Sequence, residues 1–275
     1  MRREGAVRKN ASRAVMYIFL IAASLISVFP LYWSFISAFN NTQQILGGWM
    51  LPSTHLFENL QHLFEQHNVM RALKNSFATT ILQTLIALAV SSIAGYGFEI
   101  YHDKAKDTVM AILMLAMMVP FVAVLVPLFQ MFTKAKLINT WAAFILPSIA
   151  TPFLIMYFRN SARSFPRDTL EAARIDGLNE FQIFVRMFIP MMKPTYASAA
   201  TITFMGAWNA YLWPKVVMQT NEAITMPMLV ANTMGGYVID YGVVMAAVTI
   251  CSLPTVIIFF CLQKSFTNAV AGAVK

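Results

Sequence analysis

The chain has 275 residues, of which 58% are apolar and only 12% charged, whereas a soluble globular protein carries about a quarter charged residues. So few charges exclude a molecule whose whole surface faces water and point to one that is largely solvated by hydrocarbon. The net charge of +8 admits nucleic acid or anionic lipid as a partner, and the placement of the basic residues decides between them.

Arg2, Arg3, Arg8, Lys9 and Arg13 precede an apolar run, as in a secretory leader. The run from Ala14 to Phe39 is longer than a leader's core and no small-x-small site closes it, so it reads as a retained first span. Five more stretches lack Asp, Glu, Lys and Arg: Asn75–Phe98, Thr108–Phe132, Ile138–Phe158, Thr195–Pro214 and Gly242–Leu262. Each reaches the roughly 20 residues that cross a hydrocarbon core as a helix, the conformation that satisfies its own backbone there. The expectation is an all-α membrane protein with six transmembrane helices. Pro30, Pro120, Pro127, Pro147, Pro152 and Pro254 fall within these runs and predict kinks. Cys251 and Cys261, ten positions apart in one run, are too distant along a helix for a disulfide and read as small apolar residues.

Basic residues favour the cytoplasmic side of a membrane. With the N-terminus inside, only Arg71, Lys74, Lys134, Lys136 and Lys215 of the 20 Lys and Arg fall outside. Both termini are therefore expected in the cytoplasm, with tails at 1–13 and 265–275 around a six-span domain at 14–264. The positive charge then needs no nucleic acid. Of the long connections, Asn40–Lys74 and Lys215–Tyr241 fall outside. The apolar stretch 223–239 in the second reads as a loop, with partial re-entry left open.

The connection 159–194 falls inside and carries two helix-start patterns, Asp168 with Glu171 and Asn179 with Gln182, with Gly177 placed to end the first helix. Two short helices exposing Glu171, Arg174, Asp176 and Glu180 suggest a docking surface; a solvated amphipathic loop is the alternative.

Glu171-Ala172-Ala173, three residues, Gly177, nine residues and Met187-Phe188-Ile189-Pro190 resemble the loop E-A-A-x3-G-x9-I-x-L-P of bacterial ABC importer permeases. Met187 and Ile189 depart mildly, staying apolar. Pro30-Leu31-Tyr32-Trp33, Asn75-Ser76, Gly95-Tyr96, Trp208-Asn209, Leu212-Trp213-Pro214 and Ala271-Gly272-Ala273-Val274-Lys275 are similar to the carbohydrate branch, in particular the smaller subunit of the maltose-transporter type. The resemblance implies a type I importer permease fold in a bacterial inner membrane. It further implies a homologous permease, two ATPase subunits and an extracytoplasmic sugar-binding protein as partners. Glu171, Ala172, Ala173, Asp176, Gly177 and Pro190 would form the ATPase-coupling element, Gly272–Lys275 would lie near the ATPases, and 221–241 would meet the binding protein.

No G-x-x-x-x-G-K-[ST] loop is present, so ATP and magnesium are expected on partner subunits and no cofactor or catalysis on this chain. His55, His62, His67 and His102 lie outside the spans and read as solvated. Spans without carboxylates or histidines do not suit an ion-coupled carrier and suit a neutral solute; an importer of another solute such as glycerol phosphate stays open. Trp208, Asn209, Tyr211 and Trp213 are candidate substrate-path residues, with an interfacial aromatic belt and an interhelical hydrogen bond as the alternative. Gln83 and Gln130 are weaker candidates.

Overall fold

The computed structural model describes the backbone of residues 2–273 and the side chains of residues 13–261. The tail positions Val274 and Lys275, and the side chain of Ala273, lie outside that range. In chain order the helices are α1 (Arg2–Ser37), α2 (Thr42–Leu46), α3 (Leu56–Gln66), α4 (Val69–Ile100), α5 (Lys104–Ala116), α6 (Phe121–Lys134), α7 (Trp141–Ile145), α8 (Pro152–Ala162), α9 (Arg167–Ile175), α10 (Glu180–Ile183), α11 (Ile189–Met191), α12 (Lys193–Trp208), α13 (Leu212–Val217), α14 (Met226–Thr233) and α15 (Tyr241–Ala273). No strand occurs among the described residues.

Among the described residues three helices are long and apolar enough to cross a membrane: Arg13–Ser37, Val69–Ile100 and Tyr241–Cys261. Two bent pairs raise that number to five if each is one span: α5 with α6, bent by 99°, and Trp141–Ser148 with α8, bent by 48°. The breaks fall at prolines. Pro120 caps α6, Pro147 lies in the 3-10 turn Leu146–Ser148, and Pro152 opens α8. A proline has no N–H to give the preceding turn, so a new helix can start there but the old one cannot run through. Pro30, Pro127 and Pro254 stay inside α1, α6 and α15. The expected fifth span, 195–214, is not one continuous helix: α12 has 16 residues and ends at Trp208 before the short α13. In the 215–241 connection the apolar stretch forms α14, eight residues long and too short to span.

The chain divides into two compact units, Met1–His67 with Val230–Ser252, and Asn68–Leu229 with Leu253–Lys275. In the first, the side chains of α1 from Val15 to Leu31 are largely exposed and apolar, a surface suited to hydrocarbon. The Asn59 amide donates to the carbonyls of Ala38 and Asn40. Asp240 accepts from Gly242 N–H and from the Thr42 hydroxyl, pinning the start of α15 to α2.

In the second unit α4, α8 and α12 share a core of Ala87, Leu154, Phe158 and Ala199, with Leu88, Tyr157 and Tyr196 against it. Gly95 sets the approach of α4 to α8. A Cβ there would lie 2.6 Å from the Phe158 Cβ and 2.7 Å from the Arg159 nitrogen. Near its other end α4 carries Asn75, whose amide donates to the carbonyls of Glu222 and Ile224 and whose oxygen accepts from the Trp141 indole. Beside it the Ser76 hydroxyl accepts from Met226 N–H.

Candidate functional site

The 159–194 connection folds back on the end of α4. Leu170 and Ala173, three apart on α9, join Tyr96, Phe165, Ile183, Phe184 and Phe188 in one buried cluster. Tyr96 sits edge-on to Phe184 and Phe188, with centroids 5.3 and 4.9 Å away. The helix is thus seated by one narrow apolar face, and Glu171, Ala172, Arg174 and Asp176 point to solvent. The two alanines differ in exposure: Ala173 is buried in the loop's own core and Ala172 is exposed, and both border a shallow concavity with Asp168, Thr169, Asp176, Leu178 and Met187.

Gly177 ends α9 with φ +82°. Leu178 N–H donates to Ala173 C=O and Gly177 N–H to Arg174 C=O, the six-to-one and five-to-two bonds of a glycine helix stop. Nothing lies within 4 Å of where its Cβ would be, so a larger residue here is opposed by backbone conformation rather than by crowding. Asn179 then caps α10 reciprocally with Gln182, as the sequence predicts. The matching expectation for Asp168 is corrected. Pro166 is the cap residue of α9 and no side chain caps it, so Asp168 lies within the first turn, where its charge still faces the positive end of the helix.

After α10 the chain makes one π turn, Phe184–Phe188, with Ile189 N–H donating to Phe184 C=O. Pro190 follows directly. It cannot donate, and its ring would strike the carbonyl four residues back in a regular helix, so the wider turn accommodates it. This turn aims both Phe184 and Phe188 at Tyr96. Glu180 ties the loop to α4: its carboxylate accepts from Arg174 at 2.8 Å and from the Tyr96 hydroxyl at 3.4 Å. Burial pushes the Glu180 carboxyl up, but hydrogen bonds from Tyr101, Arg174 and Tyr96 outweigh it and hold the group below its ordinary value.

Arg159, at the base of the connection, is 5% exposed. Its guanidinium reaches Glu99 on α4 at 3.3 Å and Asp107 on α5 at 2.5 Å, and Arg163 joins Glu99 at 3.3 Å. Three helices meet on one buried cation.

The four aromatic and amide candidates near α12 and α13 do not converge. Trp208 is fully buried against Phe77 and Phe204. Asn209 donates to the Met205 carbonyl, within its own helix end. Tyr211 is exposed. Trp213 is buried, gives its indole N–H to the Ala143 carbonyl at 2.8 Å and meets Phe132 edge-on. Of the four, only Trp213 lines a cavity of about 400 Å³, and Gln83, Ser148, Thr151, Phe153 and Thr203 line it too. Gln130 is exposed on α6 and does not line it.

Residues 93–272, which hold the loop, its seat and α12 to α15, match the family described as binding-protein-dependent transport system inner membrane component. The chain belongs to this family. It is 39% identical over 269 residues to the lactose transport system permease protein LacG of Rhizobium radiobacter, covering 98% of each chain. It is 32% identical to the arabinooligosaccharides transport system permease protein AraQ of Halalkalibacterium halodurans, with 92% of each chain covered. Its fold is that of a subunit in the crystal structure of a bacterial ABC transporter involved in the import of the acidic polysaccharide alginate. The TM-score is 0.81 over 91% of this chain and 95% of that one, at 20% identity.

In this permease chain, sequence reasoning missed two classes of residue. Ile175 is 86% exposed and Phe181 73% exposed, both beside the Gly177 turn, so the loop presents apolar as well as charged groups. The signal was available: Ile175 lies one turn beyond Glu171, on the face opposite Leu170 and Ala173. Arg159 is the other: its partners are 52 and 60 positions away, and no local pattern announces them.

Proposed function

We propose that this chain is one of the two permease subunits of an ATP-driven importer for neutral oligosaccharides. A binding protein delivers the sugar on the outer side, and the 159–194 loop is the cytoplasmic contact for the ATPases. The observation that carries this reading is the loop itself: a helix seated by Leu170 and Ala173, with Glu171, Ala172, Asp176 and the Gly177 stop left facing away. Among the described residues the Glu171 carboxylate has no ion-pair partner; Ile175 is exposed one turn further along α9, and Phe181 is exposed just past the Gly177 stop. Exposed apolar residues on the same loop as an unpaired acid are what a partner protein's groove would cover. The glutamate can accept charge-assisted bonds from a partner's arginine.

The family membership supports a binding protein as partner. The names of LacG and AraQ support a saccharide as cargo. In this reading ATP and magnesium sit on the partner subunits and this chain is non-catalytic, in keeping with a sequence that has no phosphate-cradling loop. Mechanically, closure of the ATPases on nucleotide would press on α9. Its aromatic seat on Tyr96 and the Arg159 junction pass that displacement to α4, α5 and α8 together, because packed cores shift as units rather than deforming.

The test is uptake by membranes holding the full complex. Glu171→Lys and Gly177→Asp should leave the subunit inserted and assembled while lowering sugar uptake per ATP hydrolysed by about tenfold, a loss of about 1.4 kcal/mol in coupling. A cysteine at Asp168 should react with an impermeant maleimide only from the inner face. Normal coupling in both variants, or labelling from outside, would overturn the docking role.

A further inference from the structure

We propose that the cavity between α4, α8 and α12 is a sugar subsite contributed by this subunit, with the Gln83 carboxamide as its recognition group. The proposal rests on the reading of the chain as a saccharide permease.

Gln83 is 7% exposed, yet its side chain lines the cavity. Among the described residues no group hydrogen-bonds its amide. Two other buried carboxamides behave differently: Asn59 donates to two carbonyls and Asn75 makes three bonds. The Gln83 amide atoms are not sealed from solvent as the unpartnered Thr80 and Thr84 hydroxyls of the same helix are; they open on the cavity, so whatever enters it can bond them.

The rest of the lining narrows what that is. Ser148, Thr151 and Thr203 add side-chain hydroxyls that make no hydrogen bond to described residues, and Phe153 and Trp213 add ring surface. The Trp213 N–H is already committed to Ala143, so that residue offers only its apolar ring. No Asp, Glu, Lys, Arg or His lines the cavity. A phosphate or carboxylate would find no counter-charge, an ammonium ion no carboxylate, and an acyl chain would leave the amide unsatisfied. A neutral polyol fits. Its hydroxyls both donate and accept, as the carboxamide and hydroxyls require, and its ring face can lie on an aromatic. The volume of about 400 Å³ falls in the range of small-molecule sites.

The experiment uses the complete complex in proteoliposomes with radiolabelled lactose, an arabinooligosaccharide and glycerol 3-phosphate as probes. In Gln83→Leu, which leaves an apolar side chain and removes both hydrogen-bonding atoms, half-saturation for the transported saccharide should rise about tenfold, the loss of roughly one to two neutral hydrogen bonds. Thr203→Val should move it in the same direction by a smaller factor. Unchanged half-saturation in Gln83→Leu overturns the proposal. So does failure of Gln83→Leu to co-purify with the partner permease, which would make the cavity a subunit-packing surface. Uptake of glycerol 3-phosphate and of neither saccharide by the unaltered complex would overturn the sugar reading first, and the subsite with it.

Discussion

At Asn75 and Ser76, α4 is held by neutral hydrogen bonds to the backbone of 222–226 and to the Trp141 indole. Twenty residues further on, the same helix is held by shape at Gly95, by rings at Tyr96 and by charge at Glu99. The first arrangement fixes a connection to the helix through bonds with one geometry each. The second joins α4 to α5, α8 and the loop that presents Glu171 and Gly177, through contacts that act on several elements at once. Directional neutral bonds hold a position; a close-packed junction with a shared buried cation makes neighbouring helices move as a body. In the proposed mechanism the loop pushes on the second kind of end.

The difference can be broken most severely at Gly95. Gly95→Val forces side-chain atoms into backbone that lies 2.7 to 2.9 Å from an added Cβ. Since backbone of α8 cannot swing aside as a side chain does, the helices must separate, at about 3 kcal/mol or more. Thermal unfolding in detergent should show either no folded population or a midpoint lowered far more than by any change at Asn75. A melting curve like that of the unaltered chain would refute the close-contact account.

Arg159→Met comes next. It keeps the stem and removes the cation, leaving Asp107 with His102 and Glu99 with Arg163. Because those partners remain, the cost should sit below the roughly 3 to 5 kcal/mol of stranding a buried charge outright, near about 2 kcal/mol. If the junction transmits force, uptake per ATP should fall as well; a stability loss with full coupling would restrict Arg159 to a structural role.

Asn75→Ala should have the smallest effect. It frees two carbonyls and one indole N–H that water at a helix end can partly satisfy, for about 1 to 2 kcal/mol. Limited proteolysis of the 215–226 segment should accelerate while coupling through the loop persists. Loss of coupling on that change would erase the proposed distinction between the two ends.

Much of this was legible before any coordinates. Apolar runs marked α1, α4 and α15, because a span's solvent is hydrocarbon and that requirement is met residue by residue. Of the six prolines read as kink sites, those at 120, 147 and 152 fall at breaks, because a missing N–H is a local defect, while those at 30, 127 and 254 stay inside helices. The Gly177 stop and the Asn179 cap were legible for the same reason, since both are closed within a few residues. The path reading centred on Trp208, Asn209, Tyr211 and Trp213 was less informative. Chemical type alone cannot tell an aromatic that lines a cavity from one that fills a core, and Trp208 fills a core. The fifth run illustrates a further limit: hydropathy extends to Pro214, but the helix stops at Trp208, where the Asn209 side chain satisfies a carbonyl of the last turn.

The sequence by itself determined that this chain lives in a membrane, that it is helical, and that it carries a Glu-Ala-Ala and glycine pattern. Each of those follows from forces acting within about one helical turn or from the solvent around a single segment. Only the tertiary structure decided that Ala173 is buried while Ala172 is free, that Arg159 joins three helices, that Gly95 admits no side chain, and that Gln83 opens on a cavity with no partner. Those properties belong to atoms contributed by segments tens of residues apart, and no stretch of sequence carries the distances between them.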